Sequence, residues 1–247
     1  MKSPLVKINP WYLLVFLLHF LLSFSSSLSR WSSSLSPCPP SPLCTAFHWH
    51  DTWRNVKIEL STDKLEAAWS RGGVHNYWAT FAGDKLFEGG QRYFEIEIID
   101  LGKPRPNKKL AIGVIGCGRE NVKSIPWHEG RYAVGQWRDI PAWSFHPISG
   151  IVNSNCLPLQ GKPYTRIALQ SGDRIGLLVD MDEGKVTFFC NGQDLGVAFN
   201  GVHAKALLPA VSIRDKIRVR LRFPPPPYSK RTSKLVHLRS SGQLCVS

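Results

Sequence analysis

Residues 172–199, GDRIGLLVDMDEGKVTFFCNGQDLGVAF, read as strand, turn, strand and turn without a break. Residues 175–179 are a short apolar run with no helical period. Asp180-Met181-Asp182-Glu183-Gly184 follows, where the glycine supplies a positive φ and the aspartates can accept from nearby backbone amides. Lys185–Cys190 resumes in β-branched and aromatic residues, and Asn191-Gly192 closes a second turn. At period two, Val186, Phe188 and Cys190 share one face and Thr187 and Phe189 the other. Both faces are largely apolar, so this strand is expected to be central in a sandwich.

The order of GD, an apolar strand, D-x-D-x-G, an aromatic strand, NG, LGVAF and then Leu208-Pro209-Ala210-Val211-Ser212 resembles the SPRY domain of the B30.2 type. Further motifs fall in the same order. They are Leu60-Ser61-Thr62-Asp63, the run GGQRYFEIEI at residues 89–98, Ile112-Gly113-Val114, and Trp143-Ser144-Phe145-His146 with Gly150 behind it. A lone NG or GD would mean little; the ordered set, over residues 53–223, is specific. The resemblance implies an all-β fold, a two-sheet antiparallel β-sandwich of the concanavalin jelly-roll type, with Trp143 in its core. It also implies a non-catalytic adaptor that grips a short peptide segment of a partner protein through loops at one edge. Where many relatives have Arg-Ala-Thr this chain has Trp78-Ala79-Thr80, and where some have an acidic pair it has Pro147-Ile148-Ser149-Gly150. These departures leave the partner's identity open and the fold untouched.

The 247 residues, 43% of them hydrophobic, suffice for one large all-β core or two small ones. All 18 acidic residues lie between Asp51 and Asp215, so the two ends carry basic charge alone: Lys2, Lys7 and Arg30 at the start, Lys230, Arg231, Lys234 and Arg239 at the finish. Residues 1–30 read as a signal-peptide-like or short anchor segment, with two lysines, an apolar run over residues 11–22 broken only by His19, and small residues behind it. That run falls short of the roughly 20 residues that cross a bilayer as a helix. An upstream extension that never engages the export machinery is the alternative. Residues 31–50 read as a Ser/Pro-rich linker, 51–223 as the SPRY-like domain, and 224–247 as a Pro-rich and basic flexible tail. The domain type implies the cytoplasm; a working N-terminal signal would make the chain secreted, as an effector acting on host proteins, or membrane-associated through that segment. The six cysteines are scattered, and Cys117 and Cys190 read as buried small hydrophobes, which points to a reducing compartment.

Enzyme signatures are scarce: the chain has no Gly-x-Ser-x-Gly elbow, P-loop, His-Glu-x-x-His or Cys-x-x-Cys. GVIGCG at residues 113–118 lacks the third glycine and following helix of a dinucleotide site and reads as a strand end. Asp180, Asp182 and Glu183 could ligate a cation, but a tight hairpin explains them. Cys38, Cys44, His48 and His50 have an unusual spacing for zinc in a Ser/Pro-rich stretch. No cofactor or metal is expected. An enzyme of unrecognised chemistry is the remaining alternative.

Two loop clusters carry large aromatic and polar side chains where bare connections use small ones. Arg71, His75, Asn76, Tyr77 and Trp78 form the first; Trp127, His128, Arg131 and Tyr132 form the second. Tyr, Trp and Arg dominate binding hot spots, and loops on a rigid sandwich are where recognition residues sit, so these nine are the candidate partner-binding set. For Trp78 and Trp127 a core role is the competing reading. Arg218, Arg220 and Arg222, extended by Lys216, alternate with apolar residues on the last strand. They would suit an anionic partner, but a charged face more often keeps a sheet soluble, and nucleic acid is not expected. Beyond it, Pro225, Pro226 and Tyr228 satisfy the Pro-Pro-x-Tyr pattern of WW-domain ligands, and Phe223 with the four prolines satisfies an EVH1 pattern. Burial of Phe223 would disfavour the EVH1 mode. A rigid stop after the final strand is the plainer alternative.

Overall fold

The computed structural model describes residues 46–70, 77–103, 109–118, 121–156 and 159–227. In chain order its strands are β1 (Trp49–Arg54), β2 (Ile58–Leu60), β3 (Glu66–Trp69), β4 (Ala79–Gly83), β5 (Gln91–Asp100), β6 (Lys109–Gly116), β7 (Ala142–His146) and β8 (Ile151–Ser154). They continue as β9 (Lys162–Pro163), β10 (Arg174–Asp180), β11 (Lys185–Cys190), β12 (Gln193–Asn200), β13 (Leu207–Arg214) and β14 (Arg218–Arg222). Every strand pairing is antiparallel, and the strands form two seven-stranded sheets. One runs β1-β4-β13-β6-β7-β8-β9, the other β12-β11-β10-β5-β14-β3-β2. No α-helix occurs among the described residues.

The β10–β12 meander forms as its turn chemistry dictates. Ile175 pairs with Cys190 and Asp180 with Lys185. Between them the Asp180 carboxylate accepts from the Glu183 amide at 2.9 Å. At the second turn Asn191 and Gly192 take φ of 50° and 81°, the pair of positive values a two-residue I′ hairpin turn needs. The Asn191 side-chain oxygen then accepts from the Arg174 amide at 2.9 Å. β11 lies between β10 and β12. Val186 and Phe188 enter the central core, while Phe189, on the opposite face, is also buried and meets the Tyr93 ring edge-on at 5.6 Å. Cys117 is buried and Cys190 half-buried.

The central core lies between the sheets and includes Trp49, Phe81, Phe94, Trp143, Phe145 and Phe188. It starts earlier in the chain than the Ser/Pro-rich composition suggests. Phe47 and Trp49, inside the stretch read as linker, are each 1% exposed. Trp49 donates its indole N–H to the Leu65 carbonyl at 3.0 Å. Phe47 sits among Phe87, Phe94 and Phe223, with ring centroids 5.9, 5.2 and 5.1 Å away. β1 pairs with β4, and that pairing draws these two aromatics between the sheets.

A third layer covers the outer face of the first sheet. Val122, Ile125, Trp127, Val134 and Trp137 from the long β6–β7 connection pack on Ile115, Ala142, Leu208 and Ala210. A polar seam beside them pins that connection down. Thr80 and Ser212 share a hydroxyl contact at 2.7 Å, the Val134 amide donates to Ser212 at 2.9 Å, and Ser144 donates to the Val134 carbonyl at 2.6 Å. Buried polar groups that find partners in this way cost little, and the seam sets the register of the loop on the sheet.

Two of the three arginines in the β14 row are matched by carboxylates. Arg220 reaches Asp63 and Glu66 at 2.7 Å each, and Arg222 reaches Glu97 at 2.5 Å. The acids come from β5, from β3 and from the turn before it, so the row supports the solubility reading rather than an open anion-binding face.

Candidate partner-binding site

Tyr77 and Trp78 enter β4 as neighbours, so their side chains point to opposite sides. Trp78 goes inward and is 6% exposed; its ring lies edge-on to His146 at 5.7 Å and packs with Ala111 and Ala133. Its amide donates to the Gly130 carbonyl at 2.8 Å, which ties this loop to the β6–β7 connection. Tyr77 goes outward and is 58% exposed. The approach is close: a Cβ on residue 130 would lie 2.7 Å from the Tyr77 Cβ and 3.1 Å from the Trp78 carbonyl oxygen, so only glycine fits without a shift.

Asn55, which the sequence reading missed, clamps a third loop to the same place. Its backbone amide donates to the Thr80 carbonyl at 2.7 Å and its side-chain amide to the His128 carbonyl at 3.1 Å. Its side-chain oxygen accepts from the Lys57 amide at 2.9 Å. An asparagine at a strand exit signals a turn, but its contact 73 residues away has no local sequence signature.

Two clefts result, and they share Tyr77 and Gly130. One, of about 440 Å³, is lined by Tyr77, Glu129, Gly130, Arg131 and Tyr132. The other, of about 300 Å³, is lined by Val56, Lys57, Trp69, Tyr77, Trp78 and His128, with Asn55 and Gly130 at its base. Val56 is 77% exposed beside it. Among the described residues the site is an exposed tyrosine between two shallow hollows, lined by Lys57 and Arg131 and by one carboxylate, Glu129.

The candidate set divides in three. Tyr77, His128, Arg131 and Tyr132 share the clefts, with Trp78 buried beneath them. Trp127 does not reach this surface. It is buried, its indole N–H donates to the Val122 carbonyl at 3.2 Å, and its ring meets Trp137 edge-on at 6.4 Å. A large apolar ring over a sheet face is worth more packed than exposed, which is why the core role holds for it and for Trp78. Arg71, His75 and Asn76 lie outside the described residues, as do residues 1–45 with the signal-like segment, and Tyr228.

A serine–histidine contact, Ser144 Oγ to His146 Nε2 at 3.2 Å, resembles a nucleophile–base pair but is sealed. Both residues are buried, the Ser144 hydroxyl donates to the Val134 carbonyl, and Asn153 donates its side-chain amide to His146 Nε2 at 2.8 Å. Burial, reinforced by nearby Lys109, lowers the His146 pKa to about 4, so the imidazole is neutral and structural. At the far end of the sandwich Phe223 packs on Phe47, which disfavours the EVH1 pattern. Pro225 is exposed and Pro226 buried.

These features define a class: a two-sheet β-sandwich whose polar interior is structural and whose exposed aromatic ridge sits where three loops meet. A family model of the SPRY domain matches residues 91–226, more than half of the chain, and the chain belongs to the SPRY family. Its fold is similar to that of the SPRY domain of human HERC1, at 17% identity and a TM-score of 0.54 over 71% of this chain and 97% of that one. It is likewise similar to the TRIM65 PSpry domain, at 15% identity and a TM-score of 0.53 over 73% and 93%. SPRY domains are in general protein-interaction modules and typically non-catalytic. The matched segment starts at Gln91, so Asn55, Tyr77 and Trp78 precede it in sequence while sharing its sheets and loops in space.

Proposed function

We propose that this chain is a non-catalytic adaptor that binds a short peptide segment of a partner protein across Tyr77. The observation that carries this reading is the exposed Tyr77 ring, held between two hollows by buried Trp78 and by close contact with Gly130. A rigid aromatic costs little side-chain entropy on binding, so a peptide laid over it can place one side chain in each hollow. Lys57 and Arg131 favour a segment that carries an acidic residue beside an apolar one.

Peptides selected from a random display library on the full chain should be enriched for that composition. Tyr77→Ala should weaken the selected peptides by about 2 kcal/mol, as for a hot-spot aromatic, with the thermal midpoint held within a few degrees because the ring is exposed. Gly130→Ala should weaken them too, by displacing Tyr77. Selected peptides that bind Tyr77→Ala as well as the parent would place the recognition surface elsewhere.

A second partner contact is proposed at the other end of the domain. The exposed Pro225 and the Pro-Pro-x-Tyr spacing through Tyr228 support recognition of this segment by a WW-domain protein.

A further inference from the structure

We propose that the partner peptide carries an acidic stretch beyond the segment laid over Tyr77, and that the β13–β14 turn receives it through Lys216 and Arg218. The inference rests on the peptide-binding reading above and adds the partner's chemistry and the direction in which it leaves the aromatic site. Strand order puts this turn beside the apolar hollow. β3 lies between β14 and β2. At the end of β3 the Trp69 amide donates to the Ile217 carbonyl at 3.4 Å, and the next amide, of Ser70, donates to the Lys57 carbonyl at 2.7 Å. Trp69 lines the hollow of about 300 Å³ together with Tyr77 and Lys57. Lys57 therefore stands on one flank of Trp69 and the β13–β14 turn on the other. In the other sheet β13 reaches the same end, since Ile213 pairs with Ala79, the residue after Trp78.

The turn presents its cations outward. Lys216 and Arg218 are exposed and alternate with buried Ile217 and Val219, so the two charges project to one side. The carboxylates next to them in chain and register bond to their own loops. Asp215, at a φ of 78°, is buried and accepts from the Lys216 amide at 2.8 Å. Asp100, the register partner of Arg218, accepts from the Gly102 amide at 2.7 Å. Further along β14, Arg220 and Arg222 are held in ion pairs and keep that part of the face neutral, whereas neither Lys216 nor Arg218 is in an ion pair among the described residues. The part of the row without neutralising partners is thus the part that adjoins the hollow. Exposed cations beside a recognition surface raise association rates and select by charge more than they add affinity, which is the role the acidic stretch takes here. Nucleic acid fits less well, because it draws on about 6 to 10 phosphate contacts and this track is short and ends on an apolar hollow.

Peptides selected from a random display library on the full chain, then measured by fluorescence anisotropy, test this. The proteins compared are the parent, Lys216→Glu with Arg218→Glu, and Lys85→Glu with Lys205→Glu. The last pair makes the same change of net charge at exposed positions, after the far end of β4 and before the start of β13. The selected peptides should carry Asp or Glu clustered on one side of their apolar residue. They should bind the reversed turn about tenfold more weakly than the parent at low ionic strength, and the distant reversal about as well as the parent, with the gap closing in about 0.5 M salt. Replacing the acidic cluster by Gln should weaken binding to the parent and leave binding to the reversed turn unchanged, as coupling between the two requires. Lys216→Gln with Arg218→Gln, which adds no charge, should fall in between with an unchanged melting curve. Peptides that weaken with Tyr77→Ala but bind the reversed turn as well as the parent would overturn this inference and leave the Tyr77 site standing. Equal losses in both charge-reversed chains would assign the effect to net charge and overturn it too. Peptides indifferent to Tyr77→Ala would remove the Tyr77 reading and this inference with it. A fluorescein-labelled single-stranded oligonucleotide that binds the parent more tightly than the peptides, and is lost on reversal of the turn, would make the surface a nucleic-acid site and overturn the acidic-peptide assignment.

Discussion

Gly113→Val should abolish the cooperative fold, at a cost above about 4 kcal/mol, which is a large part of the stability of a domain this size. Gly113 pairs with Ser144 across β6 and β7, and a Cβ at residue 113 would stand 1.9 Å from the Trp143 carbonyl oxygen and 2.8 Å from the Ser144 Cα. Those are backbone atoms, so no rotamer change relieves the clash and β7 itself must move. Moving β7 pulls the Trp143 indole out of the central core and parts Ser144 from the Val134 carbonyl, so both layers on this sheet loosen together. Near-UV circular dichroism and urea titration report it as loss of the tryptophan signal and of a two-state transition. A variant that melts within a few degrees of the parent would show that β7 can shift freely despite the polar seam of Thr80, Ser212, Val134 and Ser144.

Acid should destabilise the domain through His146 in a definite window. The imidazole titrates near 6.5 when unfolded and near 4 in the folded chain, where burial and nearby Lys109 oppose the charge. Between those values the unfolded chain binds a proton that the folded chain refuses. Stability is therefore full above about pH 6.5 and falls as the pH drops toward 4, by a total on the order of 3 kcal/mol. Asp63 acts lower down. Hydrogen bonds from Ser61 and from the Leu65 amide, with the Arg220 contact, hold its pKa at about 2 against an ordinary 3.8, so its contribution is lost only as the pH falls below the ordinary carboxylate range. Urea unfolding at pH 7 and pH 4.5 should show the first loss in the parent chain. His146→Gln, less stable at neutral pH, should show a flatter response over the same range. Equal losses in both chains would assign the acid sensitivity to other groups.

How far the site was legible follows from which contacts are local. The aromatic loops at Tyr77 and at Arg131-Tyr132 stand out as residue types, and the structure places them around shared clefts. Which aromatic serves as surface and which as core was not legible. Tyr77 and Trp78 differ only in which side of an entering strand they take, and Trp127 is covered because a segment 15 residues before Ala142 happens to lie on the outer face of the sheet. Phe47 and Trp49 were hidden by the serines and prolines before them, since the strand that buries them, β4, starts 30 residues beyond Trp49. The arginines of β14 were visible as charges, but their carboxylates arrive from Asp63, Glu66 and Glu97, which are far away along the chain.

The meander from Arg174 to Asn200 was determined by the sequence alone, because turn residues, period-two alternation and hairpin register act between near neighbours. The ordered motifs likewise determined the family and the two-sheet class. Tertiary structure decided the rest. It buried the Ser144–His146 contact and made it structural, left Tyr77 exposed above Trp78, and buried Pro226 a few residues after the last strand. Each of these depends on which distant segments share a small volume, and that follows from closing both sheets around one aromatic core rather than from any local pattern.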